Sequence, residues 1–263
     1  MGKSSLVKSY CFRQTAFGRW CFILDPKSEY LALAEATNGR VIRLAPGGGV
    51  TVNPFAGLEP REQEEILLAV ARAVLGRDVD ALEAKALSVA LQAAGPEPLL
   101  PAIADGLLWP ADGVAEQLGG GVTTAMLQEA GRAAGFRLQQ LVGDGRLGGM
   151  FDAPTSPGLD RLSTVTVLDL SAIWLNHRDA LDVVMLLADG WFRSLSANRR
   201  RKGIYVVDEG WALLRNERVA EGLQAGYKLV SQDGVQRIMI MHGLTDLDAA
   251  GEAGSRTREL AKG

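Results

Sequence analysis

Apolar residues along this chain fall into two patterns: short uninterrupted runs, and longer stretches in which they recur every three or four positions. Short runs are typical of buried strands, and the longer spacing is typical of amphipathic helices. Predicted strands lie at 20–25, 40–44, 164–170, 204–209 and 235–242, with predicted helices at 3–18, 179–195 and 221–230. Strands that alternate with helices in this way predict an α/β core with a mostly parallel sheet.

The stretch from 60 to 148 differs from the rest because it carries helical spacing throughout. It follows a segment rich in Gly and Pro, 45–60, which predicts a loop or a boundary. Its first predicted helix has acids in the first turn, and a later one starts at Thr123 or Thr124 as an N-cap. We therefore predict an all-helical insertion at 60–148, set between two parts of the core, 1–59 and 149–263.

Composition limits the classes of protein that fit. A chain of 263 residues that is 47% hydrophobic can bury one large core, or a core with an inserted subdomain. The net charge of −3 argues against a polybasic nucleic-acid or membrane binder, although a local basic patch would fit. Two cysteines, Cys11 and Cys21, form no disulfide framework and suit a reducing cytosol. Since apolar runs stay well short of the roughly 18 residues of a membrane span, we expect any membrane association to come through partners.

The first candidate for chemistry is the triplet Gly2-Lys3-Ser4, followed by Ser5, at the start of the first predicted helix. In the loop G-x-x-x-x-G-K-[ST], backbone N–H groups surround phosphates, the lysine reaches the β- and γ-phosphates and the hydroxyl binds Mg²⁺. The triplet matches the last three positions, with Met1 at the last x. A polar helix start would look the same, so the assignment of these residues to a nucleotide site needs a second motif.

That second motif is Asp208-Glu209, which ends the apolar strand in GIYVVDEGW. A strand-terminal aspartate can hold Mg²⁺, and a glutamate beside it can orient and deprotonate a water. Adjacent carboxylates repel each other unless a cation is near. A solvent-exposed strand end is the alternative, but the two motifs together favour an ATP site, with Ser4 and Asp208 as Mg²⁺ ligands and Glu209 as the base.

Two other predicted strands end in polar residues. His242 ends the last strand, where it could sense the γ-phosphate, and a capping or partly buried histidine is an equally weighted alternative. Asp25 ends the strand WCFILD and is followed by Pro26, Lys27 and Glu29. Ligands of open α/β sheets gather at the carboxyl edge, so these residues could lie near the site, with helix capping by Asp25 slightly favoured.

Seven segments occur in an order that resembles the motor domain of type IV secretion and conjugative-transfer ATPases: GKSSLVKSY, FILDPKSEY, VIRLAPGGGVTVNPF, GGMFDAPTS, VLDLS, YVVDEGWALL and MIMHGLTDLDA. The likeness is greatest to the branch on actinobacterial mobile elements and covers nearly the whole chain. It implies a RecA-like P-loop NTPase fold, ATP hydrolysis with Mg²⁺, and a homo-hexamer. It also implies work on the cytoplasmic face of a membrane, with membrane-embedded transfer proteins and DNA as partners.

Carried over residue by residue, the resemblance implies that Lys3 and Ser4 are the Walker A lysine and serine. Asp208 and Glu209 match the Walker B acid and base, and His242 matches the sensor position. Asp25, Glu29 and Asn53-Pro54-Phe55 match motifs to which the sequence assigns no chemical role.

The chain departs from the resembling motors in three ways. The first glycine of the loop and three of its variable positions do not precede Gly2, and the last strand and helix of the core do not follow SRTRELAKG. Val230 and Ser231 stand where those motors carry a Ser-Arg pair, so a trans-acting arginine is not assigned. We therefore expect this chain to be an internal fragment, poorly soluble and without appreciable ATPase activity until the upstream strand and loop are restored.

Two other functions fit the same sequence. A DNA-pumping translocase of the coupling or segregation type shares the fold and much of the chemistry, and would show DNA-stimulated ATPase activity. A non-catalytic, nucleotide-binding scaffold of the transfer machine would keep the fold and assemble without nucleotide. A signalling GTPase is not favoured, because the sequence holds no Asn-Lys-x-Asp motif.

Overall fold

The computed structural model describes residues 2–111, 113, 121–159, 161–196, 202–210 and 234–241. Within these ranges the chain forms two compact units. Unit 1 comprises Met1–Leu44, Gly158–Met185 and Leu195–Gly263, and unit 2 comprises Ala45–Pro157 and Leu186–Ser194.

Unit 1 is built on a five-stranded parallel sheet. Its strands are β1 (Trp20–Asp25), β2 (Arg40–Arg43), β3 (Val165–Asp169), β4 (Gly203–Val207) and β5 (Val235–Met239). The strand order is β2-β3-β1-β4-β5, and every neighbouring pair is parallel. The helices beside it are α1 (Lys3–Thr15), α2 (Leu31–Ala36) and α7 (Ser171–Asn176), with a 3₁₀ turn at Arg178–Ala180. The predicted strands and the parallel sheet are confirmed.

The three central strands are buried from end to end, which agrees with the mostly apolar character of their sequences. Alternate residues on one face form a core with α1 and α2 that includes Cys21, Ile23, Val165, Val167 and Ile204. β5 stands at one edge of the sheet and is only partly buried after Val235.

Several element ends differ from the sequence-based prediction, and those of α1 and β4 lie near the residues of interest. α1 ends at Thr15 rather than at 18, because Gly18 has a φ of 71° and its N–H returns to the Thr15 carbonyl. β4 ends at Val207, so Asp208 and Glu209 lie in a turn beyond it. The Asp208 N–H still bonds to the Leu24 carbonyl, and the chain leaves the sheet at Glu209.

Unit 2 contains the helices α3 (Pro60–Leu75), α4 (Ala81–Ala93), α5 (Leu100–Leu108) and α6 (Thr124–Gln139). A further helix, α8 (Leu181–Ser196), runs across the division between the units. The described residues between 60 and 148 contain helices and no strand. The predicted segments 1–59, 60–148 and 149–263 remain a prediction.

Local signals explain these helices. Asp80 caps α4 through the N–H groups of Leu82 and Glu83, while the Glu83 carboxylate accepts from the Asp80 N–H. Thr123 caps α6 through the Met126 N–H, which confirms the predicted N-cap. α6 packs closely against α5 at Gly131. A Cβ added at this glycine would stand only 2.9 Å from the Leu107 carbonyl oxygen.

Candidate functional site

Four carboxylates meet at the carboxyl edge of the sheet in unit 1. β1 ends at Asp25 and β3 at Asp169, which are register partners, and Asp208 and Glu209 directly follow β4. All four residues are buried, with exposed fractions between 0% and 4%. Burial of this much acidic charge requires hydrogen bonds and cations as partners.

Backbone N–H groups bind the Asp25 carboxylate. Its Oδ1 accepts from Lys27 at 3.3 Å and Glu29 at 3.0 Å, and its Oδ2 accepts from Tyr30 at 2.8 Å. Asp25 thus shapes the turn that leads into α2 rather than capping the helix itself, whose N-cap is Tyr30. Burial raises the pKa of Asp25; the amides oppose this shift, and the charge of Asp169 adds to it.

The same turn is attached to β3. Ser28 has a φ of 59° and donates its hydroxyl to the Asp169 carboxylate at 3.0 Å. The other Asp169 oxygen accepts the N–H of Ser171 at 2.9 Å. Two neighbouring strand ends therefore hold the backbone of 25–30 in one conformation.

Glu209 forms an ion pair with Lys27, whose Nζ lies 2.6 Å from Oε1. Glu209 is 2% exposed and has a φ of 54°, in the left-handed region that a non-glycine residue rarely adopts. Such strained backbone concentrates at functional sites, where the surrounding structure maintains it. The next N–H, of Gly210, bonds to the Ile240 carbonyl and ties this turn to the end of β5.

Burial raises the pKa of Asp208, and the charges of Glu209 and Glu29 raise it further. The Glu209 N–H and the Tyr30 hydroxyl lower this pKa and so oppose the effect. Tyr30 is fully buried beside it, and burial and the Asp208 charge raise its pKa as well. The Asp208 carboxylate therefore sits where a cation would stabilise its ionised form.

The triplet at the start of α1 lies at the same edge. The Lys3 ammonium donates to the Met241 carbonyl at 2.7 Å, just beyond the end of β5, the neighbour of β4. Gly2 is the N-cap, with extended backbone, and no described side chain hydrogen-bonds to cap this helix. Lys3 and Ser5 are exposed and Ser4 is half-buried. The first turn of α1 thus presents N–H groups, an ammonium and hydroxyls at the sheet edge that carries Asp208 and Glu209.

Trp174 and Arg178 also belong to this region, although the sequence did not single them out. The Lys27 ammonium lies 4.8 Å from the centre of the Trp174 ring, and the Arg178 guanidinium carbon lies 4.1 Å from it. Asp169 was missed too, although the strand-end argument used for Asp25 and Asp208 would have found it. No motif or strand-end pattern in the sequence indicated the contact between the Trp174 ring and the Lys27 ammonium.

The remaining predicted residues are spread over the chain. Glu29 is paired with Lys8 at 3.5 Å in unit 1. Asn53 is buried in unit 2, where its side chain accepts the Phe55 N–H at 3.0 Å and its own N–H bonds to Thr155. His242, the predicted sensor, lies outside the described residues, as do Val230 and Ser231.

An open cleft of about 580 Å³ lies at the opposite edge of the sheet. Arg19 precedes β1 and Lys202 precedes β4, and both line it with Gln14, Phe17 and Gly18. Parallel sheets bind ligands at the carboxyl ends of their strands. We therefore assign the candidate site to the carboxylate-rich edge and not to this cleft.

The residues present suit Mg²⁺ bound together with a nucleotide. Mg²⁺ takes one or two carboxylates and fills its remaining positions with phosphate oxygens and water. Asp208 offers a buried carboxylate and Ser4 a hydroxyl. Within the described ranges, no group of three His, Cys, Asp or Glu residues is arranged to hold a metal on its own. The donor set thus fits a metal that arrives with phosphates.

In the part of the chain that the structure describes, no helix has the length and apolar character needed to cross a bilayer.

No protein-family model matches the sequence, and no curated protein matches it. Among solved structures, that of VirB4 of Thermoanaerobacter pseudethanolicus matches with a TM-score of 0.73 and 20% identity, over 96% of this chain and 70% of that one. The bacterial conjugative coupling protein TrwBdeltaN70, in a trigonal form in complex with sulphate, matches with a TM-score of 0.57 and 15% identity. That match covers 97% of this chain but 64% of the TrwB chain, less than two thirds of it.

At these identities the likeness is one of fold. It agrees with the resemblance inferred from the sequence motifs, since the neighbours are VirB4 and a conjugative coupling protein. The predicted fold class is confirmed at the level of the fold: the chain has a mostly parallel sheet with helices, in a RecA-like arrangement that resembles the folds of VirB4 and TrwB.

Proposed function

We propose that this chain is the ATP-binding and ATP-hydrolysing motor domain of a conjugative DNA-transfer or type IV secretion machine. One observation carries the proposal: the Gly-Lys-Ser start of α1 and the buried Asp-Glu pair after β4 lie at the same edge of a parallel sheet. Phosphate groups bind at helix N-termini, and an acidic pair at a strand end serves the metal and the attacking water. The fold likeness to VirB4 and TrwB supports the type of machine.

In this proposal the first-turn N–H groups at Gly2, Lys3, Ser4 and Ser5 bind the phosphates, and the Lys3 ammonium neutralises their charge. Ser4 and Asp208 would hold Mg²⁺, which when bound would supply positive charge to offset the charge of the phosphates. Glu209 orients the water and accepts its proton as the oxygen attacks the γ-phosphorus. A new P–O bond forms, the bond to the bridging oxygen breaks, and ADP leaves with that oxygen.

The wider roles follow from the same resemblance and are part of the proposal. The chain would work as a homo-hexamer at the cytoplasmic face of a membrane and contact membrane-embedded transfer proteins. DNA would be a further partner, and His242 would sense the γ-phosphate.

The proposal is tested with the full-length protein by measuring ATP turnover and binding of a fluorescent ATP analogue. Lys3→Ala should lose both, because it removes the charge that faces the phosphates. Glu209→Gln should bind nucleotide but turn it over about 10²- to 10⁴-fold more slowly, the usual contribution of a general base. Lys85→Ala and Glu97→Gln are matched controls, since both residues are exposed in unit 2.

The outcomes also separate the alternatives. Turnover that rises when DNA is added would favour a DNA-pumping translocase. Assembly that is the same with and without nucleotide, in a protein with no turnover, would favour a scaffold. Full turnover by Glu209→Gln would refute the assignment of the base.

A further inference from the structure

The carboxylate of Glu209 is held by a lysine that the fold brings from another strand end. Lys27 follows β1, and its ammonium lies 2.6 Å from Glu209 Oε1 beyond the neighbouring strand β4. The lysine side chain is 31% exposed and the glutamate 2%. A buried carboxylate needs a charged or hydrogen-bonding partner, and Lys27 supplies one.

An aromatic ring restrains the ammonium from a second direction. The Trp174 ring centre lies 4.8 Å from Lys27 Nζ, within the range of a cation–π contact. The Arg178 guanidinium lies over the same ring at 4.1 Å. A half-buried lysine side chain could otherwise adopt several rotamers, so contact with both a carboxylate and a ring restricts the position of its ammonium group.

The backbone that carries Lys27 is fixed as well. Asp25 accepts the Lys27 N–H at 3.3 Å, and Ser28, with its positive φ, donates to Asp169. Pro26 restricts its own φ. The backbone of the lysine is thus tied to the ends of β1 and β3, while Glu209 is tied to the ends of β4 and β5 through Gly210.

We propose that Lys27 is a positioning residue: it orients the Glu209 carboxylate for its work as the base, and Trp174 keeps the lysine in place. This inference rests on the proposed ATPase function. Lys27 does not itself take the proton, since an ammonium has donors and no acceptor. A base displaced by about 1 Å loses roughly 10²-fold in rate, so orientation of this carboxylate matters to turnover.

The experiment compares Lys27→Met, Lys27→Arg and Trp174→Leu with wild-type protein in full-length form, by steady-state ATP turnover. We expect Lys27→Met to lower kcat by about 10- to 100-fold with KM for ATP nearly unchanged. Lys27→Arg should recover most of the rate, because a guanidinium can pair with the carboxylate and stack on the ring. Trp174→Leu should show an intermediate loss of kcat.

Lys8→Met is the matched control. Lys8 also forms an ion pair, with Glu29 at 3.5 Å, and lies 5.1 Å from the centre of the Tyr30 ring, but it does not hold Glu209. It should keep wild-type kcat. In the Glu209→Gln background, Lys27→Met should cause no further loss, because the group that it positions is already gone.

These measurements distinguish failure of the positioning role of Lys27 from failure of the proposed ATPase function. If wild-type protein binds and hydrolyses ATP and a folded Lys27→Met has unchanged kcat, the positioning role is overturned and the ATPase function stands. A KM increase without loss of kcat would overturn it as well. If Lys27→Met does not fold, Trp174→Leu takes its place. Wild-type kcat in Trp174→Leu would then overturn the positioning role. Wild-type protein that neither binds nor hydrolyses ATP would overturn the proposed function, and this inference with it.

Discussion

Replacement of Asp25 tests whether the carboxyl edge of the sheet is held together as the structure indicates. Asp25 is fully buried, and its carboxylate accepts three backbone N–H groups, from Lys27, Glu29 and Tyr30. Asp25→Ala removes both acceptor oxygens and with them all three hydrogen bonds. Asp25→Asn keeps the shape but replaces one carboxylate oxygen by a donor. Asp144→Asn, at an exposed aspartate, is the control.

The magnitude follows from the bonds and from the cost of burial. Hydrogen bonds to a charged acceptor contribute about 1.5–3 kcal/mol each, so three sum to about 4.5–9 kcal/mol. The raised pKa of Asp25 means that burial of the charge offsets part of this gain. We therefore expect Asp25→Ala to lower the free energy of unfolding by about 3–5 kcal/mol, and Asp25→Asn by about 1–2 kcal/mol.

The assay is urea unfolding followed by tryptophan fluorescence, at pH 7 and at lower pH. The folded protein holds the Asp25 proton more tightly than the unfolded chain does, so wild-type stability from this group increases as pH falls through the raised pKa. The gain is complete below the ordinary value of 3.8. The difference between wild type and Asp25→Asn should therefore widen as pH decreases.

Two results would refute this reasoning. Asp25→Asn at least as stable as wild type at every pH would mean that the acceptor oxygen lost in this variant contributes little to stability. A difference that narrows at low pH would mean that the carboxylate, and not the carboxylic acid, is the form that the fold prefers.

Three further predictions follow from the packing. Gly203→Ala would bring a Cβ within 2.1 Å of the buried Trp20 ring, so we expect a loss of about 1–3 kcal/mol in unfolding free energy, with Trp20→Leu as the compensating second substitution. Asp80→Ala removes the cap of α4 and should cost about 1 kcal/mol, measured by thermal or urea unfolding. Cys11 and Cys21 are fully buried, so iodoacetamide should label neither thiol in the native protein and both in urea, as read by mass spectrometry.

Much of the secondary structure could be predicted because local sequence determines it. β1, β3 and β4 are mostly apolar, as expected for strands of a sheet that is buried on both faces. Thr123 is a local N-cap, and its hydrogen bond closes within three residues. The predictions were less accurate at element ends, where Glu209 turns out of the sheet through a positive φ that its residue type does not signal.

The candidate site was predictable in part. Motif spacing indicated Lys3, Asp208 and Glu209, and the rule that ligands gather at the carboxyl edge indicated that Lys27 could lie near them. Neither the motif spacing nor this rule indicated that Lys27 would pair with Glu209, because both side chains could have reached other partners. His242 remains a prediction.

The sequence by itself therefore determined the strands, the caps and the chemical groups available, because apolar periodicity, N-caps and phosphate-binding motifs act over a few residues. The tertiary structure alone decided the strand order β2-β3-β1-β4-β5, and with it which strand ends became neighbours. That order brings Lys27 to Glu209, and the α7 turn that follows β3 brings Trp174 over Lys27. Such contacts join residues far apart in the chain, and their geometry depends on crossover connections and packing that no local pattern encodes.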